Sequence, residues 1–144
     1  MSPIQRIRPQ GLVVSPAFSH VAIVPPGATT IYVGGQNAVD ANGSLVGEGD
    51  VGKQSARALE NAKTALTAAG ATVSDVVQWT VLFVEGVDLA AAYGAIAPVL
   101  ASDEPALVTG ARVAGLGVPG ALVEISAVAA VLPQEGAQAI SGSA

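Results

Sequence analysis

Glu124 lies in the run Leu122-Val123-Glu124-Ile125-Ser126-Ala127-Val128, a carboxylate among apolar neighbours. A charge so placed is paired, set at a boundary with water, or chemically employed, because burying it alone is too costly. Arg112 is the counter-ion the sequence offers for a structural pair, and water deprotonation by a general base is the chemistry Glu124 could perform. His20 is the sole histidine and directly follows Ser19, and the chain has no cysteine. A metal centre would need carboxylates gathered from elsewhere, so no metal is expected. On a strand, Ser19 and His20 would point to opposite faces, which argues against a Ser-His-acid relay and for a plain strand histidine. Gly47-Glu48-Gly49-Asp50-Val51-Gly52-Lys53 has the spacing of a phosphate loop. Gln54, however, replaces the magnesium-binding Ser/Thr, and Glu48 and Asp50 would repel phosphate, so the stretch reads as a capped helix start. Gly34-Gly35-Gln36 ends an apolar run with its side chains stripped away, which suits a bulge or the close approach of a ligand.

The elements that must position these residues follow from periodicity. Ile4 to Ile7 reads as a short edge strand before Pro9. Phe18 to Val24 and Thr30 to Val33 read as strands flanking the Pro25-Pro26-Gly27 turn. Asp40 to Asp50 is a polar, Gly-rich surface loop. Between Val51 and Ala69, residues Ala58, Leu59, Ala62, Ala65, Leu66 and Ala69 recur at helical spacing, with Asp50 as N-cap and Gly70 beyond the end. Val76 to Val84 is a β-prone strand. Leu89, Tyr93, Ile96 and Leu100 mark a second helix capped by Asp88, with Pro98 in its last turn.

Leu107 to Val113 and Ala121 to Leu132 then read as a hairpin joined through Gly115 to Gly120. Were its turn centred on Val118, Arg112 and Glu124 would be cross-strand neighbours with Cβ atoms about 5 Å apart. The order is β-β-β-α-β-α-β-β, an α+β fold in which two helices cover one face of a mixed sheet. The other face would be buried against further copies of the chain, which predicts an oligomer. One domain is expected over residues 1–133, with a small, polar, disordered tail at 134–144.

Composition narrows the function classes. The 144-residue chain is 51% hydrophobic and 12% charged, with a net charge of −5 from only six Lys and Arg. Without a basic cluster or aromatic platform, a nucleic-acid partner is not expected. Mean hydropathy is +0.55, high for a soluble monomer, which again points to surface buried between chains. No apolar run reaches the roughly 18 to 20 residues that span a bilayer, so a soluble protein with no membrane partner is expected. Met1-Ser2-Pro3 begins no secretory leader, and a cytoplasmic location follows as the expectation.

Phe18-Ser19-His20, Tyr32-Val33-Gly34-Gly35-Gln36, Gln54 to Asn61, Ala69-Gly70-Ala71 with Asp75-Val76-Val77, and Val123-Glu124-Ile125-Ser126-Ala127-Val128-Ala129 together carry a resemblance. From Ile4 to Leu132 the chain resembles the reactive intermediate deaminase (Rid, or YjgF) family. The resemblance implies a chorismate-mutase-like fold and a homotrimer with three clefts between subunits. It further implies cofactor-free hydrolysis of 2-imino or enamino acids to 2-keto acids and ammonia. Glu124 matches the family glutamate that positions or activates water, Gly35 a cleft-lining glycine, and Ser19 lies in a Tyr-Ser-Gln-like segment. On this basis Glu124 is the expected catalytic residue, and Phe18, Ser19, Gly34, Gly35, Gln36, Val108 and Arg112 are the expected small-molecule contacts.

Three departures bear on the substrate. The family arginine that clamps a substrate carboxylate follows Pro-Ala, where this chain has Leu107 or Val108. Gly34 replaces a serine, and a helical asparagine falls at Ala90. An aliphatic side chain cannot imitate a bidentate guanidinium. Arg112, four residues beyond Val108 and about 13 Å along a strand, is too far to substitute. Two functions remain open at this point. One is a hydrolase or deaminase acting on a neutral imine, enamine or carbonyl-type metabolite; the other is a non-catalytic small-molecule-binding or regulatory trimer.

Overall fold

Apolar periodicity and capping residues fix most elements where the sequence places them. The computed structural model describes residues 3–134, so the expected tail, apart from Gln134, lies outside the described residues. The strands are β1 (Gln5–Ile7), β2 (Val21–Ile23), β3 (Thr29–Gln36), β4 (Val76–Val84), β5 (Leu107–Val113) and β6 (Val123–Val131), and the helices are α1 (Val51–Ala68) and α2 (Leu89–Leu100). Asp50 caps α1 by accepting from the Lys53 N–H at 3.0 Å. Asp88 caps α2 by accepting from the Ala90 and Ala91 N–H groups at 3.0 and 3.2 Å. Gly70, just past α1, takes φ +79°, the left-handed conformation that lets the chain turn away.

β2 is shorter than expected, because β1 offers it only three pairing positions. Phe18, Ser19 and His20 therefore lie ahead of the strand, held by the Ser19 N–H donating to the Ala106 carbonyl at 3.2 Å and the His20 N–H donating to the Ile7 carbonyl at 3.0 Å.

β1 and β2 form a two-stranded sheet, and the main sheet has the order β3-β6-β4-β5. This corrects the expected hairpin: β5 and β6 are not neighbours, because β4 lies between them. β5 runs parallel to β4, with α2 as the crossover that parallel pairing requires, and β6 runs antiparallel to β4 on its other side. The stretch from Ala114 to Leu122 thus carries the chain past the end of β4 instead of making a tight turn.

The helices pack on one face of this sheet. Ala58, Leu59, Ala62 and Leu66 of α1 and Ala92, Ile96 and Leu100 of α2 meet Trp79, Val81 and Phe83 of β4 and Val123, Ile125, Ala127 and Ala129 of β6 in one buried core. Trp79 and Phe83 are its largest fully buried side chains. Removing either ring would cost about 3–5 kcal/mol. The alternate residues Gln78, Thr80, Leu82, Ser126 and Val128 are half-buried on the opposite face, and Tyr32 on β3 is 79% exposed. This face mixes Gln78, Thr80, Glu124 and Ser126 with Tyr32, Leu82 and Val128, and no helix among the described residues covers it; it is the surface expected to meet another copy.

Candidate functional site

Register decides which of the expected site residues meet. Residues opposed across a ladder share a face, and successive residues alternate faces. Glu124 is opposed to Leu82, and Leu82 to Ala111. Arg112 is opposed to Phe83, and Phe83 to Val123. Glu124 therefore projects from the open face and Arg112 from the helix side, with β4 between their strands. The expected ion pair does not form. Its premise, direct pairing of β5 with β6, fails with the topology, and Arg112 is exposed. The one salt bridge among the described residues joins Lys63 to Glu60 at 3.2 Å, so Glu124 has no ionic partner among them.

Beside Glu124, β3 carries a bulge. Val33 pairs with Ala127 and Gln36 with Ile125, so three steps on β3 face two on β6. The extra residue falls at Gly34-Gly35, where it re-aims the backbone. Gly35 is where the chain closes on the carboxylate. A Cβ placed there would lie 2.6 Å from Glu124 Cδ and 2.7 Å from Oε2, inside van der Waals contact, whereas one at Gly34 would meet nothing within 4 Å. Only glycine at 35 lets the carboxylate rest against the strand. Gln36 donates from Nε2 to the Gly34 carbonyl at 3.2 Å and so steadies the bulge.

Two polar side chains that sequence reasoning left without a role hold this arrangement. Asn37 donates to the Val123 carbonyl at 3.1 Å, and Asn61 on α1 donates to the carbonyls of Asn37 and Val39, both at 2.9 Å. Together they lock the exit of β3 to the start of β6, one residue from Glu124. Gln54, fully buried, donates to the carbonyls of Gly47 and Gly120 at 3.2 Å each and accepts from the Leu122 N–H at 2.8 Å. The phosphate-loop-like spacing is thereby accounted for: Gln54 spends its amide on the backbone of the loop that leads into β6.

The remaining expected contacts gather elsewhere. Phe18 and Val108 line an apolar pocket of about 330 Å³ with Ala17, Tyr93, Ala97, Leu100 and Gly110, on the helix side of β5. Val108 is opposed to Trp79 there, while Leu107 is opposed to Gln78 on Glu124's face. Of the two positions considered for the lost arginine, Leu107 is thus the one that shares a face with the carboxylate. Ser19 is buried, with its Oγ unpartnered among the described residues, and points to no reacting group. His20 Nε2 bonds to the Val13 carbonyl at 2.7 Å, and its ring packs edge-on against Phe18 at 5.5 Å. Among the described residues no three His, Asp or Glu side chains gather as a metal site would need, and no helix is long and apolar enough to cross a membrane. Within one protomer the site residues form two groups: Gly34, Gly35 and Glu124 on the open face, and Phe18 with Val108 under α2, while Gln36, opposed to the core residue Ile125, turns to the α1 side.

Comparison with known proteins agrees with this architecture. The family model described as Endoribonuclease L-PSP matches residues 11–131. A Rid-family protein of unknown function, YyfB from Yersinia pestis, is 32% identical and superposes with a TM-score of 0.79 over 89% of this chain and 98% of its own. RidA from an Antarctic Psychrobacter is 25% identical with a TM-score of 0.63, covering 83% of this chain and 98% of its own. A YjgF-family protein from Mycobacterium tuberculosis is 26% identical with a TM-score of 0.61, over 78% of this chain and 86% of its own. With the helix-backed mixed sheet, the glycine-walled carboxylate and a family match over most of its length, this chain belongs to the endoribonuclease L-PSP family, that of the Rid and YjgF proteins.

Proposed function

We propose that the protein is a homotrimer with small-molecule clefts between subunits, in which Glu124 activates water against a neutral imine, enamine or carbonyl-type metabolite. The observation that carries this reading is the Glu124 carboxylate, seated on Gly35 at the uncovered sheet face without an ionic partner among the described residues. The two groups of site residues support the oligomer. They lie on opposite faces of the sheet, so one cleft can hold both only if different protomers supply them. The uncovered face, with Tyr32, Leu82 and Val128, offers the apolar surface such an assembly would bury.

For an imine the chemistry balances without a cofactor. Glu124 takes a proton from water as the oxygen adds to the imine carbon. The nitrogen gains that proton and a second from the new hydroxyl, and the C–N bond breaks to leave a carbonyl compound and ammonia. An enamine enters the same path after protonation at carbon. Leu107 and Val108 offer no charge to a substrate carboxylate, which favours neutral substrates over 2-imino acids. That same loss also favours the second reading, a trimer that binds a small molecule without turning it over.

Ammonia release from freshly generated neutral imines, compared with iminopropionate, separates these readings. Release from a neutral imine that vanishes in Glu124→Gln, with the trimer intact by light scattering, is the expected result. Turnover unchanged in Glu124→Gln would overturn the base assignment. A stable monomer at micromolar concentration would overturn the shared cleft.

A further inference from the structure

We propose that the pocket beneath α2 receives the hydrocarbon body of an uncharged ligand bearing one hydrogen-bond acceptor, and that the Tyr93 hydroxyl is the donor that reads it. The inference deepens the cleft reading and rests on it for the reacting end of the ligand; the pocket itself is complete within one protomer.

Its walls come from three elements held by different forces. Tyr93, Ala97 and Leu100 recur at four and three residues along α2 and so share one helix face. Val108 and Gly110 form the floor on the helix side of β5, and Ala17 with Phe18 close the outer wall. That outer wall is pinned by the Ser19 N–H bonding to the Ala106 carbonyl at 3.2 Å, just ahead of β5. The volume of about 330 Å³ is that of a small-molecule site. A cavity of about 150 Å³ holds benzene, so this one accommodates a ring with a substituent.

Two features select the ligand. No charged side chain lines the pocket, so a carboxylate entering it would lose its hydration without compensation. Tyr93 supplies the only side-chain hydroxyl of the lining. Its ring is braced edge-on against Phe83 at 5.0 Å. Its hydroxyl lies over Gly110, where any Cβ would overlap it. No protein group among the described residues pairs with it. Burial raises the hydroxyl above its usual value near 10, so it remains a donor throughout the physiological range. A floor glycine that leaves room for a free O–H in an otherwise apolar pocket is a recognition device for a carbonyl, imine or ester group.

Acetophenone, ethylbenzene and benzoate test this, being similar in size and differing in acceptor and charge. Binding to the full-length protein is followed by titration and by shifts of the Ala97 and Gly110 amide signals. Acetophenone is expected to bind about five-fold more tightly than ethylbenzene, the ratio one neutral hydrogen bond gives, and benzoate at least ten-fold more weakly than acetophenone. Tyr93→Phe should erase the acetophenone preference while leaving ethylbenzene affinity unchanged. Ala97→Phe, at an exposed helix position, should fill the pocket and abolish binding of both. Benzoate binding as well as acetophenone, a preference that survives Tyr93→Phe, or no probe binding up to its solubility would each overturn the inference. Glu124→Gln should leave probe binding intact, so failure at Glu124 and failure of the pocket register separately.

Discussion

Gly35→Ala separates positioning from stability. A Cβ at 35 would stand 2.6 Å from Glu124 Cδ, whereas carbon atoms rest at about 3.5 Å or more. The carboxylate must therefore retreat by about 1 Å. Because the clashing atoms are the far end of a half-buried side chain, and Gly35 is not among the glycines with positive φ, the fold should hardly notice. Relief of the clash and the lost freedom of the unfolded chain, worth about 0.4–1 kcal/mol in the variant's favour, should roughly cancel. The reacting geometry is less forgiving, since a 1 Å displacement can cost about 100-fold in rate. Urea unfolding should thus place Gly35→Ala within about 1 kcal/mol of the parent, ammonia release should fall by about two orders of magnitude, and a crystal structure should show the carboxylate displaced. In a Glu124→Ala background the same substitution should be neutral or slightly stabilising. The reasoning is refuted if turnover survives in Gly35→Ala, or if a stability loss above about 2 kcal/mol persists once Glu124 is gone.

Three further outcomes follow from contacts elsewhere. Gln54→Leu strands the Leu122 N–H and two carbonyls, and should cost about 2–4 kcal/mol in urea denaturation. Arg112→Met should change stability by less than about 0.5 kcal/mol, because no ion pair or hydrogen bond among the described residues holds this exposed side chain; a large loss would refute its placement as an unpaired surface residue. Tyr93 gives a pH signature at the alkaline end. Its folded pKa lies above the unfolded value of 10.0, so the folded state holds the proton longer, and stability should fall as pH rises from about 10 through the folded value. Thermal melts of Tyr93→Phe across that range should decline less steeply than those of the parent.

The helices, β4 and the uncovered sheet face were legible in the sequence because each rests on a local rule: helical spacing between Ala58 and Leu66, an Asp cap before each helix, alternation along Trp79, Val81 and Phe83. Glu124 was legible for the same reason, as a charge on a strand whose other face is apolar. Neighbour choice in the sheet is not local. Two apolar runs joined through Gly and Pro suit a hairpin and a jump across one strand equally well. The length of the connection was the available clue, since the residues from Ala114 to Leu122 exceed the two to five usual for a hairpin loop. With that order missed, Arg112 was assigned to the wrong face. The roles of Asn37, Asn61 and Gln54 could not be read in advance, because their partners are backbone atoms up to 86 residues away.

Gln54 also determines where the chain is free to vary in length. It grips the backbone at Gly120 and Leu122, directly ahead of β6, so the register of that strand is set from α1 and not by the path leading to it. Upstream of Val118, whose carbonyl accepts from the Ala121 N–H at 3.0 Å, residues Gly115 to Gly117 are left with no share in holding Glu124 in place. A peptide inserted there should cost little beyond loop closure, about 0.6 kcal/mol for each doubling of length. The same insertion after Gly120 would carry the carboxylate off Gly35. The crossing past β4 is therefore a natural point for grafting a tag or a reporter, and a stretch in which relatives can gain or lose residues while the site stays fixed.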